Sequence, residues 1–179
     1  MSSITRMFDE LICSVNPDIN LKEDLNLGKF GYTYKCLSVR QPWADLIVKG
    51  VKSIENRNWF TNHRGPLLIQ APLKFNKDDW KSLQDEGFHD HLMRPEDYHL
   101  GYIVGAVEIS EVFRSCNSTL GVYDSVWAKT NVNFWWKLYN GIEFENPIQW
   151  KGQLSIFNVH DEKNEITKQM AGWRNQVSQ

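Results

Sequence analysis

The chain has 179 residues, enough for one domain with extensions and a proper hydrophobic core. Its formal net charge of −2 and its pI of about 6.2 exclude the broadly basic surface of a protein that coats DNA. Its three cysteines form no paired-Cys motif, no apolar run approaches the ~20 residues of a membrane helix, and the N-terminus has acids where a signal peptide is apolar. We therefore expect a soluble, intracellular and cytoplasmic protein.

Residues 1–33 are predicted to form an N-terminal helix and a linker. Apolar residues recur at helical spacing over residues 3–15, and Asn16-Pro17 ends the pattern. Such a helix either packs on the core or binds a protein partner, and packing is favoured.

The next segment alternates strand and helix signals. Residues 33–39 and 51–57 are strand candidates, and residues 66–71 are almost wholly apolar, which predicts a central strand. Between the first two, Pro42 stands at a helix N1 position and Gly50 where a C-cap belongs. A short helix is therefore predicted over residues 42–49.

A second helix is predicted from Asn76, a helix-capping residue, to about Glu86, with Asp79 at the position of a capping-box acid. A polar loop follows. It contains His89, His91 and His99, but the loop setting favours surface histidines over metal ligands. We expect neither a metal nor a cofactor.

Residues 102–113 form the longest predicted strand, and Gly105 within it indicates a bend or bulge. Further strands are predicted at residues 132–138 and 153–159, and a helix from Asp161 to about Trp173 in a C-terminal tail, residues 161–179. Five to seven short strands with short flanking helices predict an α+β domain over residues 34–160, built as a small mixed or closed β-barrel.

Charge is unevenly distributed along the chain. Residues 34–75 carry seven Lys/Arg against two Asp/Glu, a formal charge of +5. The flanking residues 1–33 and 76–179 carry −2 and −5. This pattern favours a local anion site over a long basic groove, although chance clustering of solvated lysines is the simpler alternative.

The segment 37–71, "LSVRQPWADLIVKGVKSIENRNWFTNHRGPLLIQA", resembles the signature of the ASCH domain family. The pattern is a strand, Gln-Pro-Trp, a short helix, Gly-x-Lys-x-x-Glu-x-Arg, and Arg-Gly before an apolar strand. Residues 101–109 and 134–159 resemble the family's later strands, so the resemblance covers about residues 34–159. It implies a PUA-like β-barrel, a fold whose members mostly bind RNA, modified bases or DNA.

The resemblance also directs attention to particular residues. Lys52, two residues after a helix-ending glycine, is the first candidate: it either pairs with a phosphate or, partly buried, acts as a base. Glu55 and Arg57 share one face of the strand, which Lys52 reaches only from the strand's start. The alternatives are a salt bridge from Lys52 to Glu55 and a structural pairing of Glu55 and Arg57 with neighbouring residues.

The remaining ligand candidates surround this corner. Trp59 is the better base-stacking candidate, because the spacing of Trp43 is also that of a core residue. Arg64, before a glycine, is placed to contact phosphate or to remain a solvated turn residue. Gln41 and Lys151 enter as ligand-binding candidates through the family pattern.

Three functional hypotheses follow. The first is a module that binds RNA, another nucleic acid or a modified nucleotide, with RNA favoured. The second is a small hydrolase, a ribonuclease or nucleoside amidohydrolase, with Lys52 as base and Glu55 or Glu108 as acid or positioning group. The amidohydrolase subgroup has Lys-Thr-x-Thr, whereas Glu55 replaces the last threonine here, so the chain is more similar to the coactivator-type branch. The third is an adaptor with a vestigial pocket that binds a protein through residues 1–33.

Overall fold

The computed structural model describes residues 32–115 and 125–176, so the helix predicted at residues 3–15 lies outside the described residues. Two single turns of 3-10 helix, His89–His91 and Pro95–Asp97, interrupt the polar loop. In chain order the other elements are β1 (Tyr32–Ser38), α1 (Trp43–Val48), β2 (Ile54–Arg57), β3 (Gly65–Ala71), α2 (Lys77–Asp85), β4 (Tyr102–Arg114), β5 (Phe134–Gln149), β6 (Ile156–Asp161) and α3 (Glu165–Gln176).

The strands form one six-stranded mixed sheet in the order β2-β5-β4-β3-β1-β6. The β1–β3 pair is parallel, and the β2–β5, β3–β4 and β4–β5 pairs are antiparallel. β3 therefore lies inside the sheet, as its apolar sequence predicts, and four of its side chains from Leu67 to Gln70 are fully buried. The α+β class and the predicted strand number are confirmed.

The sheet is not closed into a barrel. Among the described residues β2 and β6 are its two edges, and the short β2 pairs only with β5. Arg57 at the end of β2 nevertheless donates a hydrogen bond from Nη2 to the carbonyl of Ser38 at the end of β1, at 3.1 Å. The sheet therefore curls far enough for a β2 side chain to reach β1. In a closed barrel, backbone hydrogen bonds would join the facing strands instead.

β5, with 16 residues, is longer than β4, with 13, so the prediction that β4 is the longest strand is wrong. The pairing of β4 with β5 shifts register between Ile103 and Gly105, which confirms the predicted irregularity. A Cβ at Gly105 would lie 2.1 Å from the Ile142 carbonyl oxygen. The two strands therefore approach each other more closely here than any side chain allows.

Helix α1 packs against this sheet through buried Ala44, Ile47 and Val48. It is preceded by a cis Gln41–Pro42 bond, and Gly50 follows it with a φ of +73°. Because that left-handed conformation suits glycine, the chain turns sharply there and enters β2 after three more residues. The turn brings Lys52 to the start of the edge strand.

Residues Thr33–Val159 form one compact unit. The predicted division at residues 33–34 and 160–161 stays a prediction. In the tail, α3 buries Ile166, Met170 and Trp173 at helical spacing, and Thr167 donates to Asp161 from both its backbone N–H and its hydroxyl. No helix in the described ranges is long and apolar enough to cross a membrane.

Candidate functional site

A pocket of about 380 Å³ opens at the corner where β1, α1 and β2 meet. This volume is within the range of small-molecule sites. Its lining residues come from the end of β1, the start of α1, β2, the first turn of α2 and the segment before β5. They are Ser38, Val39, Arg40, Trp43, Lys52, Glu55, Asn56, Arg57, Asp79, Trp127 and Lys129.

A buried ion-pair network forms the floor of the pocket. Lys52 Nζ lies 2.6 Å from Glu55 Oε2 and also donates to the carbonyl of Ile54. The other carboxylate oxygen, Oε1, lies 2.9 Å from Arg57 Nε, a close ionic contact that lacks the alignment of a hydrogen bond. Only 5% of the Lys52 side chain and 10% of the Glu55 side chain are exposed. Both charges are therefore held away from water, each against an opposite charge.

The pKa values of this pair are perturbed in a way that the geometry explains. Burial acts to raise the pKa of Glu55, but the neighbouring Lys52 and Arg57 charges outweigh it and hold that pKa below its ordinary value. For Lys52, burial is the largest influence and lowers the pKa, while the Glu55 carboxylate opposes the change. Glu55 is therefore a carboxylate at neutral pH.

Two tryptophans form an aromatic wall. The Trp43 and Trp127 rings meet edge to face, with centroids 6.2 Å apart, and Trp127 also packs on Phe88 at 4.6 Å. Trp43 Nε1 donates to Asp79 Oδ2 at 2.7 Å, and Asn76 Nδ2 donates to the same oxygen. The acid predicted as a capping-box residue thus fixes the orientation of an indole ring.

Segment 127–129 is attached to β2 by one side chain. Asn56 donates from Nδ2 to the Trp127 carbonyl at 2.8 Å and accepts from the Lys129 backbone N–H at 3.0 Å. The Lys129 carbonyl in turn accepts from Trp135 Nε1 at 2.8 Å. These three bonds fix the backbone on which Lys129 is carried.

The pocket has an excess of positive charge. Four Lys/Arg against two Asp/Glu in its lining leave a net formal charge of +2. Lys52 and Arg57 contact Glu55, but within residues 32–115 and 125–176 neither Arg40 nor Lys129 pairs with a carboxylate. The side chains of both residues are exposed. The two exposed cations are therefore available to an anionic ligand.

Residues 37–148 match the family profile of the ASCH domain. The chain belongs to the ASCH domain family. The match confirms the resemblance found in the sequence. The matched range contains every lining residue of the pocket.

Two mammalian relatives of this ASCH domain share the name Activating signal cointegrator 1. The human protein is 40% identical over 80 residues and the mouse protein 38% identical over 80 residues. Each alignment covers 41% of this chain and only 13% of the relative. A crystal structure of an ASCH protein from Zymomonas mobilis aligns with 78% of this chain and 94% of its own, at 13% identity and a TM-score of 0.48.

The structure brings four of the predicted ligand residues together in the ASCH pocket: Trp43, Lys52, Glu55 and Arg57. Gln41 is fully buried beside them, where its Oε1 accepts from the Asp45 backbone N–H. It supports the helix and does not line the pocket.

Three other candidates also lie outside the lining. Trp59 packs edge-on against Trp136 of the core, with centroids 4.6 Å apart. Arg64 is exposed and donates to the carbonyls of Thr61 and His63. Lys151 is exposed and far along the chain, after β5. Of the two tryptophans, Trp43 and not Trp59 faces the pocket.

The sequence did not single out Arg40, Asp79, Trp127 or Lys129 as site residues. Trp127 and Lys129 lie at least 70 residues beyond β2, in a segment without strong periodicity, and only the fold brings them to the pocket. The sequence pattern did mark Asp79, but as a helix-capping residue and not as a residue of the pocket. In the described ranges, no group of three or more His, Cys, Asp or Glu side chains is placed to hold a metal ion.

Proposed function

We propose that this ASCH domain binds RNA and holds one nucleotide in the pocket. The observation that carries the proposal is the lining itself: an aromatic wall, a buried carboxylate–ammonium pair and two exposed cations surround one cavity of about 380 Å³. RNA recognition commonly uses an unstacked base against aromatic rings, polar groups at the base edge and cations at the phosphates.

The floor of the pocket suits the edge of a base. Lys52 Nζ has three N–H donors, of which Glu55 and the Ile54 carbonyl take two. Each Glu55 oxygen contacts one cation and retains a further lone pair. A base that presents an amino group next to a carbonyl would find an acceptor and a donor side by side.

The same network favours binding over catalysis. Glu55 stands where the amidohydrolase subgroup has a threonine, and its carboxylate holds Lys52 through an ion pair at 2.6 Å. A lysine must release a proton before it can act as a base, and this contact stabilises its protonated form. The pair therefore serves recognition best when it stays charged.

A hydrolase is the second candidate, and one observation favours it. Burial lowers the pKa of Lys52, which is the direction required of a general base. The substrate would be RNA or an acylated nucleoside. A protein partner for residues 1–33 and an intracellular location stay predictions.

The proposal is tested by titrating the protein with short single-stranded RNA, duplex RNA and duplex DNA while intrinsic tryptophan fluorescence is followed. We expect single-stranded RNA to bind and to quench the emission, because Trp43 and Trp127 line the pocket. Arg40→Ala, which removes an exposed pocket cation, should weaken binding at least fivefold. Lys81→Ala, an exposed lysine of α2 outside the lining, should have no effect.

After the titration, the oligonucleotides are analysed by mass spectrometry. Unchanged RNA with Arg40-dependent affinity supports the binding module. Cleaved or deacylated RNA would assign the pocket to the hydrolase. Binding that is equal in wild type and Arg40→Ala, or that is absent for all three polymers, would contradict the proposal.

A further inference from the structure

Two of the pocket's cations, Lys52 and Arg57, are poorly placed to bind a phosphate, because protein groups already contact both of them. Lys52 contacts Glu55 and the Ile54 carbonyl, and Arg57 contacts Glu55 and the Ser38 carbonyl. A phosphate at either group would compete with the buried Glu55 carboxylate, which favours a phosphate site elsewhere in the pocket.

Lys129 differs from both. Asn56 and Trp135 fix its backbone through hydrogen bonds of 3.0 and 2.8 Å, while its exposed side chain has no carboxylate partner in the described part of the chain. The Lys129 ammonium lies 5.3 Å from the centroid of the Trp43 ring, a cation–π distance. The cation is thus held at the aromatic wall without being neutralised.

Lys129 shares the Trp43 ring with another positive charge. Lys52 Nζ is 5.9 Å from the same Trp43 ring, so two ammonium groups approach one indole. Burial and, to a smaller extent, the Lys129 charge lower the pKa of Lys52, and Glu55 opposes this change. Lys129 itself has no described carboxylate beside it. A ligand anion bound at Lys129 would supply the missing negative charge.

We propose that Lys129 binds the phosphate of the ligand at the Trp43 wall, so that the pocket selects a nucleotide over the corresponding neutral nucleoside. This inference rests on the proposed function and specifies its ligand class. The floor then contacts the base edge of one bound nucleotide, and Lys129 contacts its phosphate. The phosphate is either a terminal monophosphate or an internucleotide phosphodiester, which present the same anionic oxygens.

The test measures the affinities of the four ribonucleosides, their 5′-monophosphates and a single-stranded RNA octamer by calorimetry and fluorescence. Wild type is compared with Lys129→Met, Lys129→Arg and the control Lys81→Met. We expect at least one monophosphate to bind wild type at least tenfold more tightly than its nucleoside. Lys129→Met should remove that preference, and Lys129→Arg should retain it. For the octamer, the slope of log affinity against log salt should fall by about 0.7 in Lys129→Met, the value for one lost phosphate contact.

The outcomes separate this inference from the proposed function. A nucleoside that binds as tightly as its monophosphate, or a phosphate preference that persists in Lys129→Met, would overturn the role of Lys129 and leave the pocket as a base-binding site. If the octamer alone binds, an unchanged salt slope in Lys129→Met would overturn it. If wild type binds none of the probes, both proposals fail. Monophosphate binding without octamer binding supports the terminal phosphate, and octamer binding with a reduced slope supports the phosphodiester.

Discussion

Replacing Lys52 by methionine should destabilise the fold although methionine matches the lysine stem in length. The substitution leaves Glu55, whose side chain is 10% exposed, with Arg57 as its remaining cation at 2.9 Å. Removing one partner of a buried ion pair costs about 3 to 5 kcal/mol, because the other charge stays desolvated. The retained Arg57 contact places the expected cost near the lower value, about 3 kcal/mol.

A double-mutant cycle isolates the interaction. Glu55→Gln alone should also cost about 3 kcal/mol, because it leaves the Lys52 ammonium buried without its carboxylate. The double variant Lys52→Met/Glu55→Gln has neither buried charge and should be more stable than the sum of the single changes predicts. We expect a coupling free energy of about 2 kcal/mol.

The assay is urea unfolding followed by tryptophan fluorescence, with the free energy of unfolding extrapolated to water. Lys137→Met is the matched control, because its ion pair with Glu111 is 3.8 Å long and about half exposed. That variant should stay within about 0.5 kcal/mol of wild type. If the free-energy costs of the two single substitutions add in the double variant to within about 0.5 kcal/mol, Lys52 and Glu55 do not stabilise each other, and the buried-pair reasoning is refuted.

Three further changes give expected outcomes. Asn56→Ala removes both hydrogen bonds to segment 127–129 and should lower the free energy of urea unfolding by about 1 to 2 kcal/mol. It should also weaken RNA binding severalfold. Unchanged affinity would show that the segment does not contribute to binding. Gly105→Ala places a Cβ 2.1 Å from the Ile142 carbonyl oxygen and should lower the free energy of unfolding by about 3 kcal/mol or prevent folding. A variant with wild-type thermal stability would contradict the close strand contact. The folded-state pKa of Glu55 is lowered, so its stabilising contribution is present above the unfolded pKa, about 4.3, and is lost as pH falls through the folded value. Urea midpoints between pH 5 and 2 should therefore fall more steeply in wild type than in Glu55→Gln, and parallel profiles would contradict this.

Local sequence signals predicted most of the fold. The helix after Gln41 and the helix after Asn76 follow from capping and turn residues, whose effects act within a few positions. The apolar run of β3 predicted its central place in the sheet. The length of β5 was not predicted, because its continuation beyond Leu138 depends on pairing with β4 and not on its own polar, Gly- and Pro-containing sequence.

The candidate site was predictable only where its residues are close in sequence. Strand alternation placed Glu55 and Arg57 on one face, and the helix-ending Gly50 placed Lys52 at the start of the same strand. Trp127 and Lys129 reach the pocket through hydrogen bonds to Asn56, more than 70 residues away, and no local pattern records such a contact. Long-range register is therefore the part that one sequence could not supply.

The most direct test of the nucleotide site is an NMR titration of the tryptophan indole N–H signals with single-stranded RNA. Trp43 and Trp127 line the pocket, whereas Trp80 donates to the Met93 carbonyl outside the lining and serves as the internal reference. We expect saturable shifts of the Trp43 and Trp127 signals with an unchanged Trp80 signal. RNA binding that leaves both pocket signals in place, or that shifts Trp80 instead, would contradict it.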